Sequence, residues 1–207
     1  MDITKDVIKR QNWFEANGDE TLALDWPMTP DSQVMEIGGF EGRWAAQMAE
    51  KFDCRVDIFE PQIWAVERMI MRFAENPKIV IHPYGLWLQP GNFPLSNAFT
   101  DGATLMGAEE RPVILGRFEY YQAELDKFQG DIDVGLMNIE GAEYMLLPAM
   151  IANGQMERFR YFWCQFHTGF ELYEGQSDKI MENMFHTHDL LWDCFPTAVA
   201  WRRKVVA

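Results

Sequence analysis

Val34-Met35-Glu36-Ile37-Gly38-Gly39-Phe40-Glu41-Gly42, followed by Val56-Asp57-Ile58-Phe59-Glu60-Pro61, decides the fold. The first stretch reads as an apolar strand that runs into a glycine turn and opens a helix. The second reads as another buried strand with an acid at its end. Strand, turn, helix and strand in that order form one parallel unit, and a nucleotide-type cofactor pocket belongs at its carboxyl edge.

Working outward, the alternation continues. Short runs rich in Val, Ile, Phe and Trp predict strands over 33–37, 55–59, 78–82, 132–138, 160–166, 190–195 and 197–203. Helical spacing fills the gaps at 43–52, 61–74, 142–152 and 177–187. Pro61 suits a first helical turn, and Ile63, Val66, Ile70 and Phe73 form an apolar stripe; Ser177 suits an N-cap. The expected architecture is α/β: a doubly wound, mostly parallel, Rossmann-like sheet with an antiparallel hairpin at its edge around Pro196.

Residues 1–30 read as a separate helical segment, with Ile8, Trp13 and Phe14 as the apolar side of its first helix and a second short helix near 20–25. Residues 31–207 form the main domain. Within it, 89–130 break the rhythm with turn formers such as Pro90-Gly91-Asn92 and Asp101-Gly102, and a short strand over Arg111–Glu119. This is an excursion on the ligand side of the sheet, where substrate contacts gather. Trp87, Tyr120 and Tyr121 are its candidate substrate contacts, and the apolar side chains between Leu105 and Leu115 could cover a pocket or a subunit interface.

Composition narrows the function. The chain has 207 residues and a formal net charge of −14, so its average surface repels a phosphate backbone, and a nucleic-acid partner is not expected. No apolar run is long enough for a membrane span, so no membrane partner is expected. The N-terminus lacks the pattern of a secretory signal. Cys54, Cys164 and Cys194 are odd in number and far apart, which suits reduced thiols in a cytoplasm. No Cys/His spacing supports a zinc site, and no metal is expected.

The candidate site lies at the strand ends. Gly39 and Gly42 match two glycines of a dinucleotide fingerprint, but its first glycine falls on Ile37. The frame reads acid-x-Gly-Gly-x-x-Gly instead, and it resembles the first motif of S-adenosylmethionine-dependent methyltransferases. Glu60 is placed to accept both hydroxyl hydrogens of a ribose. Downstream, Asn138-Ile139-Glu140-Gly141-Ala142-Glu143 forms a second polar cluster at a strand end.

Together the glycine turn, Phe59-Glu60-Pro61, Leu125-Asp126 and the 138–143 block resemble the FkbM-type methyltransferase family, over residues 30 to at least 152. Two departures stand out. Gly38-Gly39-Phe40 replaces the family's usual Gly-Ala-Asn, and Leu136-Met137-Asn138 replaces its frequent Lys-x-Asp.

The resemblance implies methyl transfer from S-adenosylmethionine, usually to a hydroxyl oxygen, here of a small-molecule or glycan-type acceptor. Cofactor contacts would come from Glu36, Gly38, Gly39, Phe40 and Gly42, from Glu60, Pro61 and Gln62, from Tyr84 and Gly85, and from Asn138. Asn138 and Glu140 would lie near the reacting centre. His167 follows the 160–166 strand and, with an ordinary pKa near 6.5, is the preferred general base. His82 reads as structural, and His186 and His188 as a helix end. Two other readings stay open: a cofactor- or partner-binding protein without catalysis, suggested by Phe40 and Asn138, and an NAD-dependent oxidoreductase, which the glycine frame disfavours.

Overall fold

Val34, Met35 and Ile37 have almost no exposed surface, because the strand they form is buried on both faces. That strand is β1 (Gln33–Ile37) in a computed structural model that describes residues 3–106, 113–168 and 175–205. Period-two alternation sends Met35 and Ile37 to one core and Val34 to the other.

β1 pairs in parallel with β2 (Arg55–Phe59) on one side and with β7 (Ile132–Met137) on the other. β3 (Ile79–His82) extends the sheet beyond β2, and β8 (Phe159–Cys164) extends it beyond β7, both in parallel. β10 (Ala198–Arg203) then adds antiparallel to β8, and β9 (His188–Cys194) closes the edge antiparallel to β10. The spatial order is β3-β2-β1-β7-β8-β10-β9. The antiparallel pair anticipated near Pro196 is present, with its second strand inserted inside its first.

Helices cover both faces. α2 (Arg43–Phe52) and α3 (Ile63–Arg72) lay Trp44, Ala45, Met48, Val66 and Met69 on one core, together with Trp13 of α1 (Ile3–Glu15). α4 (Tyr121–Leu125), α5 (Glu143–Ala152) and α6 (Gln176–Met184) cover the other with Tyr121, Leu125, Leu147, Met150, Ile180 and Met184.

Several boundaries move. α3 begins at Ile63 with Gln62 at its N-cap, so Pro61 precedes the helix. Its buried stripe is Ala65, Val66 and Met69, while Ile63 and Ile70 face solvent. Ile8 and Phe14 of α1 are likewise exposed; Trp13 is the buried member, stacked on Trp163. The expected helix near 20–25 is a single 3-10 turn, Leu22–Leu24. Gly175, in a left-handed conformation, caps α6, and Ser177 is buried inside the helix.

The excursion is more ordered than its turn formers suggest. β4 (Gly85–Trp87), β5 (Gly91–Leu95) and β6 (Ile114–Tyr120) form a separate three-stranded sheet in the order β4-β6-β5. Arg111, the expected start of the 111–119 strand, lies outside the described residues.

Candidate active site at the carboxyl edge of the sheet

β1, β2 and β7 run in parallel and end at one edge, where a cavity of about 700 Å³ opens. Such a volume suits a nucleotide-sized ligand. Of the residues singled out in sequence, its wall includes Glu36, Gly38, Gly39, Phe40, Glu60, Pro61, Gln62, Gly85, Asn138 and Glu140. Gly42, Tyr84 and His167 are not in it.

The glycine turn is required first by the protein's own packing. Gly38 has φ +85°, and a Cβ there would sit 2.0 Å from the Asn138 carbonyl oxygen. At Gly39 a Cβ would meet Ile58 at 2.1 Å. Two strand ends therefore approach each other closely, and only glycine allows it. Gly42, at φ +69°, caps α2 against Phe73 and does not touch the cavity.

Glu60 is 3% exposed, and its carboxylate bridges two segments. It accepts the Phe40 N–H at 2.7 Å and the Gln62 N–H at 2.8 Å. Each oxygen keeps a lone pair for a ribose hydroxyl. Burial pushes its pKa up to about 7, against those two hydrogen bonds. Glu36, 4% exposed, is raised well above the carboxylate range by burial and by the nearby Glu60 charge, with partial relief from the Ala45 backbone N–H.

Gln62 lines the cavity, and its side chain also makes contacts the sequence did not anticipate. Its amide donates to the Thr100 carbonyl at 3.0 Å and accepts from the Phe99 N–H at 3.1 Å and the Trp64 indole at 2.9 Å. It clasps the excursion loop to the start of α3. Tyr84, outside the cavity wall, is held elsewhere: its hydroxyl donates to Glu124 at 2.8 Å, and Arg117 covers its ring. Trp87 and Tyr120 face each other across β4 and β6, outside the cavity wall, and Tyr121 is core.

His167 lies behind the wall. Its Nε2 is 2.8 Å from Glu140 and its Nδ1 3.1 Å from Glu143, while Glu143 also accepts the His167 and Gly141 backbone N–H groups. Burial alone would lower the imidazole pKa, but hydrogen bonds to Glu140 and Glu143, and their charges, outweigh it and bring it to about 9. A raised pKa favours the protonated ring at neutral pH, in which both nitrogens donate. Both ring nitrogens are engaged by Glu140 and Glu143, so the ring holds Glu140 in place, an arrangement that does not favour the general-base role expected from the sequence. Glu140 itself sits at a left-handed φ of 53°, a costly conformation for a side chain that the clamp maintains. His82 is structural: it bonds Asp57 and stacks on Phe59. His188, expected at a helix end, opens β9, buried and bonded to Thr187 and the Phe159 carbonyl.

Among the described residues, five buried side-chain polar atoms have no hydrogen-bond partner. Three of them belong to this wall: Glu36 Oε2, Asn138 Oδ1 and Trp163 Nε1. Leaving a buried polar atom unpaired costs about 1–3 kcal/mol. A ligand that pairs these atoms accounts for their placement. With Glu60 and Glu140 also in the wall, the cavity favours a cation.

Trp163 is a member that sequence reasoning missed; it appeared there only within the strand predicted over 160–166. A positional signal was available. Glu36, Leu136 and Trp163 are each the penultimate residue of their strands.

The sheet order and this site define the class I methyltransferase fold. No family model matches the chain, and no curated protein does. Solved structures do. An FkbM methyltransferase from Methylobacillus flagellatus KT aligns with TM-score 0.55 and 12% identity, over 86% of this chain and 45% of that one. The present chain thus spans less than half of that relative. Aeropyrum pernix fibrillarin with natively bound S-adenosyl-L-methionine aligns with TM-score 0.53 and 10% identity, over 89% and 73%. An rRNA methylase from Streptococcus thermophilus aligns with TM-score 0.50 and 11% identity, over 86% and 90%. Identities this low carry the fold alone. They also correct the exclusion of nucleic acid argued from net charge: the same fold includes an rRNA methylase, and an average surface charge says nothing about the local potential around one cavity. Among the described residues no helix is long and apolar enough to cross a membrane.

Proposed function

We infer that this chain is an S-adenosylmethionine-dependent methyltransferase that methylates a hydroxyl oxygen of a small-molecule or sugar-containing acceptor. The observation that carries the cofactor reading is the set of orphaned polar atoms at Glu36, Asn138 and Trp163 in a cavity that also holds Glu60. These residues suit a ligand with an ammonium group, a ribose and a positively charged sulfur. When bound, S-adenosylmethionine supplies an activated methyl group. The protein's own work is alignment, exclusion of water and removal of a proton.

Glu60 would hold the ribose while fixing the glycine turn through the Phe40 N–H. Glu36 and Asn138 would accept from the ammonium. Glu140 is the candidate acceptor for the hydroxyl proton, since one oxygen lies on His167 and the residue reaches the cavity wall. The His167 imidazolium would orient that carboxylate. The oxygen acceptor rests on the FkbM-type resemblance of the 138–143 block and on the availability of Glu140.

Calorimetric titration of the purified protein with S-adenosylhomocysteine, with NAD as control, tests the cofactor. Micromolar binding of the former alone is expected, and an acceptor screen over small hydroxyl compounds, glycans and RNA would follow. Binding of NAD alone would reverse the assignment.

A further inference from the structure

Glu36 of β1 pairs in register with Leu136 of β7, and Leu136 with Trp163 of β8. In-register neighbours of a parallel sheet point to the same face, so the three side chains form one row. Asn138, two residues beyond Leu136, continues on that face. Strand spacing puts the Glu36 and Trp163 backbones roughly 10 Å apart. Leu136 between them is apolar and leaves the gap to whatever fills the cavity. Trp163 is 7% exposed, and its Nε1–H finds no acceptor in the protein.

An indole N–H can only donate. Its missing partner is therefore an acceptor, whereas the orphaned oxygen of Asn138, and that of Glu36 once ionised, take donors. A ligand end carrying a donor group and an acceptor group on one carbon, as an α-amino acid does, meets both demands. The guanidinium groups in the wall are engaged elsewhere: Arg43 on Glu20 at 2.8 Å and Arg72 on the Glu41 carbonyl at 3.1 Å. Trp163 is thus a buried donor in the wall with no protein acceptor among the described residues.

We propose that Trp163 is a specificity-determining residue whose Nε1–H binds the carboxylate of the ligand's amino-acid end, which selects ligands with an intact carboxylate over decarboxylated ones. The proposal rests on the cofactor reading above. It gives Trp163 a role that no glycine motif contains.

The test compares S-adenosylhomocysteine with its decarboxylated analogue by calorimetry, on the unaltered protein and on Trp163→Phe. The unaltered protein is expected to prefer the intact ligand by tenfold or more, and Trp163→Phe to bind both alike. Retention of the full preference by Trp163→Phe overturns the assignment while leaving the cofactor reading intact. No binding of either compound to the unaltered protein overturns the cofactor reading itself. If Trp163→Phe does not fold, a crystal structure of the unaltered protein with S-adenosylhomocysteine decides. A carboxylate oxygen within hydrogen-bond distance of Nε1 supports the proposal, and a carboxylate bound elsewhere refutes it.

Discussion

At the scale of single residues, the proposed function gives Glu60 two jobs that respond to pH together. It fixes the glycine turn and the start of α3 through two backbone N–H groups, and its buried carboxyl has a pKa raised to about 7. Ribose recognition needs the ionised form, so a ligand that binds carboxylate must expel a proton below that pH. Affinity for S-adenosylhomocysteine should fall by up to roughly tenfold per unit as pH drops below about 7, with proton release on binding. Glu36 acts in the same direction. Calorimetry in two buffers of different ionisation enthalpy reads the released proton directly. Glu60→Gln should bind more weakly and with a shallower slope, and a flat profile in the unaltered protein would remove Glu60 from ribose recognition. The sequence placed Glu60 at the cavity because a residue at a strand end needs only its own strand for an address. It could not reveal that Gln62, two residues on, is occupied by Phe99 and Thr100, since that meeting depends on where a distant loop returns.

Between elements, the same difference recurs. β1, α2 and β2 are legible because each carries its full pattern within ten residues and pairs with its neighbour in sequence. Of the small sheet, only β6 was legible, as the strand expected over 111–119; β4 and β5 were hidden. β6 joins β4 in parallel and β5 in antiparallel fashion, and β5 carries Gly91 and Pro94, residues that argue against a strand unless it lies at an edge, as β5 does. α4 has five residues, too few for periodicity to register. The Gln62 clasp joins this excursion to the main domain. Gln62→Leu keeps the bulk and removes three hydrogen bonds, so backbone amides over 97–104 should exchange with solvent at least tenfold faster, with a stability loss of about 1–3 kcal/mol. Hydrogen-exchange mass spectrometry reads both ends of that segment. Unchanged protection there would mean that the Ser96–Thr104 bridge alone holds the loop.

For the molecule as a whole, the His167 clamp sets a pH dependence of stability. The folded protein holds this proton up to about pH 9, whereas an unfolded histidine releases it near 6.5. Between those values the folded state binds the extra proton, so the clamp's contribution is complete below about 6.5 and is lost as pH rises through about 9. The shift corresponds to about 3 kcal/mol. Urea unfolding at pH 6.5 and pH 9 should show that decline, and His167→Gln should flatten it; an equal decline in the variant would assign it to other groups.

The order of strands has a consequence for the chain as it is synthesised. Among the described residues, β10 supplies the strand partner of β9 and covers the outer edge of β8, yet it leaves the ribosome after both. A nascent chain that has emerged only to residue 197 has β1, β2, β3, β7 and β8 available for pairing, but β8 ends in a row of unpaired amides and β9 has nothing to zip against. Trp201, fully buried in the finished molecule, is still inside the exit tunnel at that moment. Until it emerges, the half-built sheet presents the kind of open edge on which neighbouring chains aggregate.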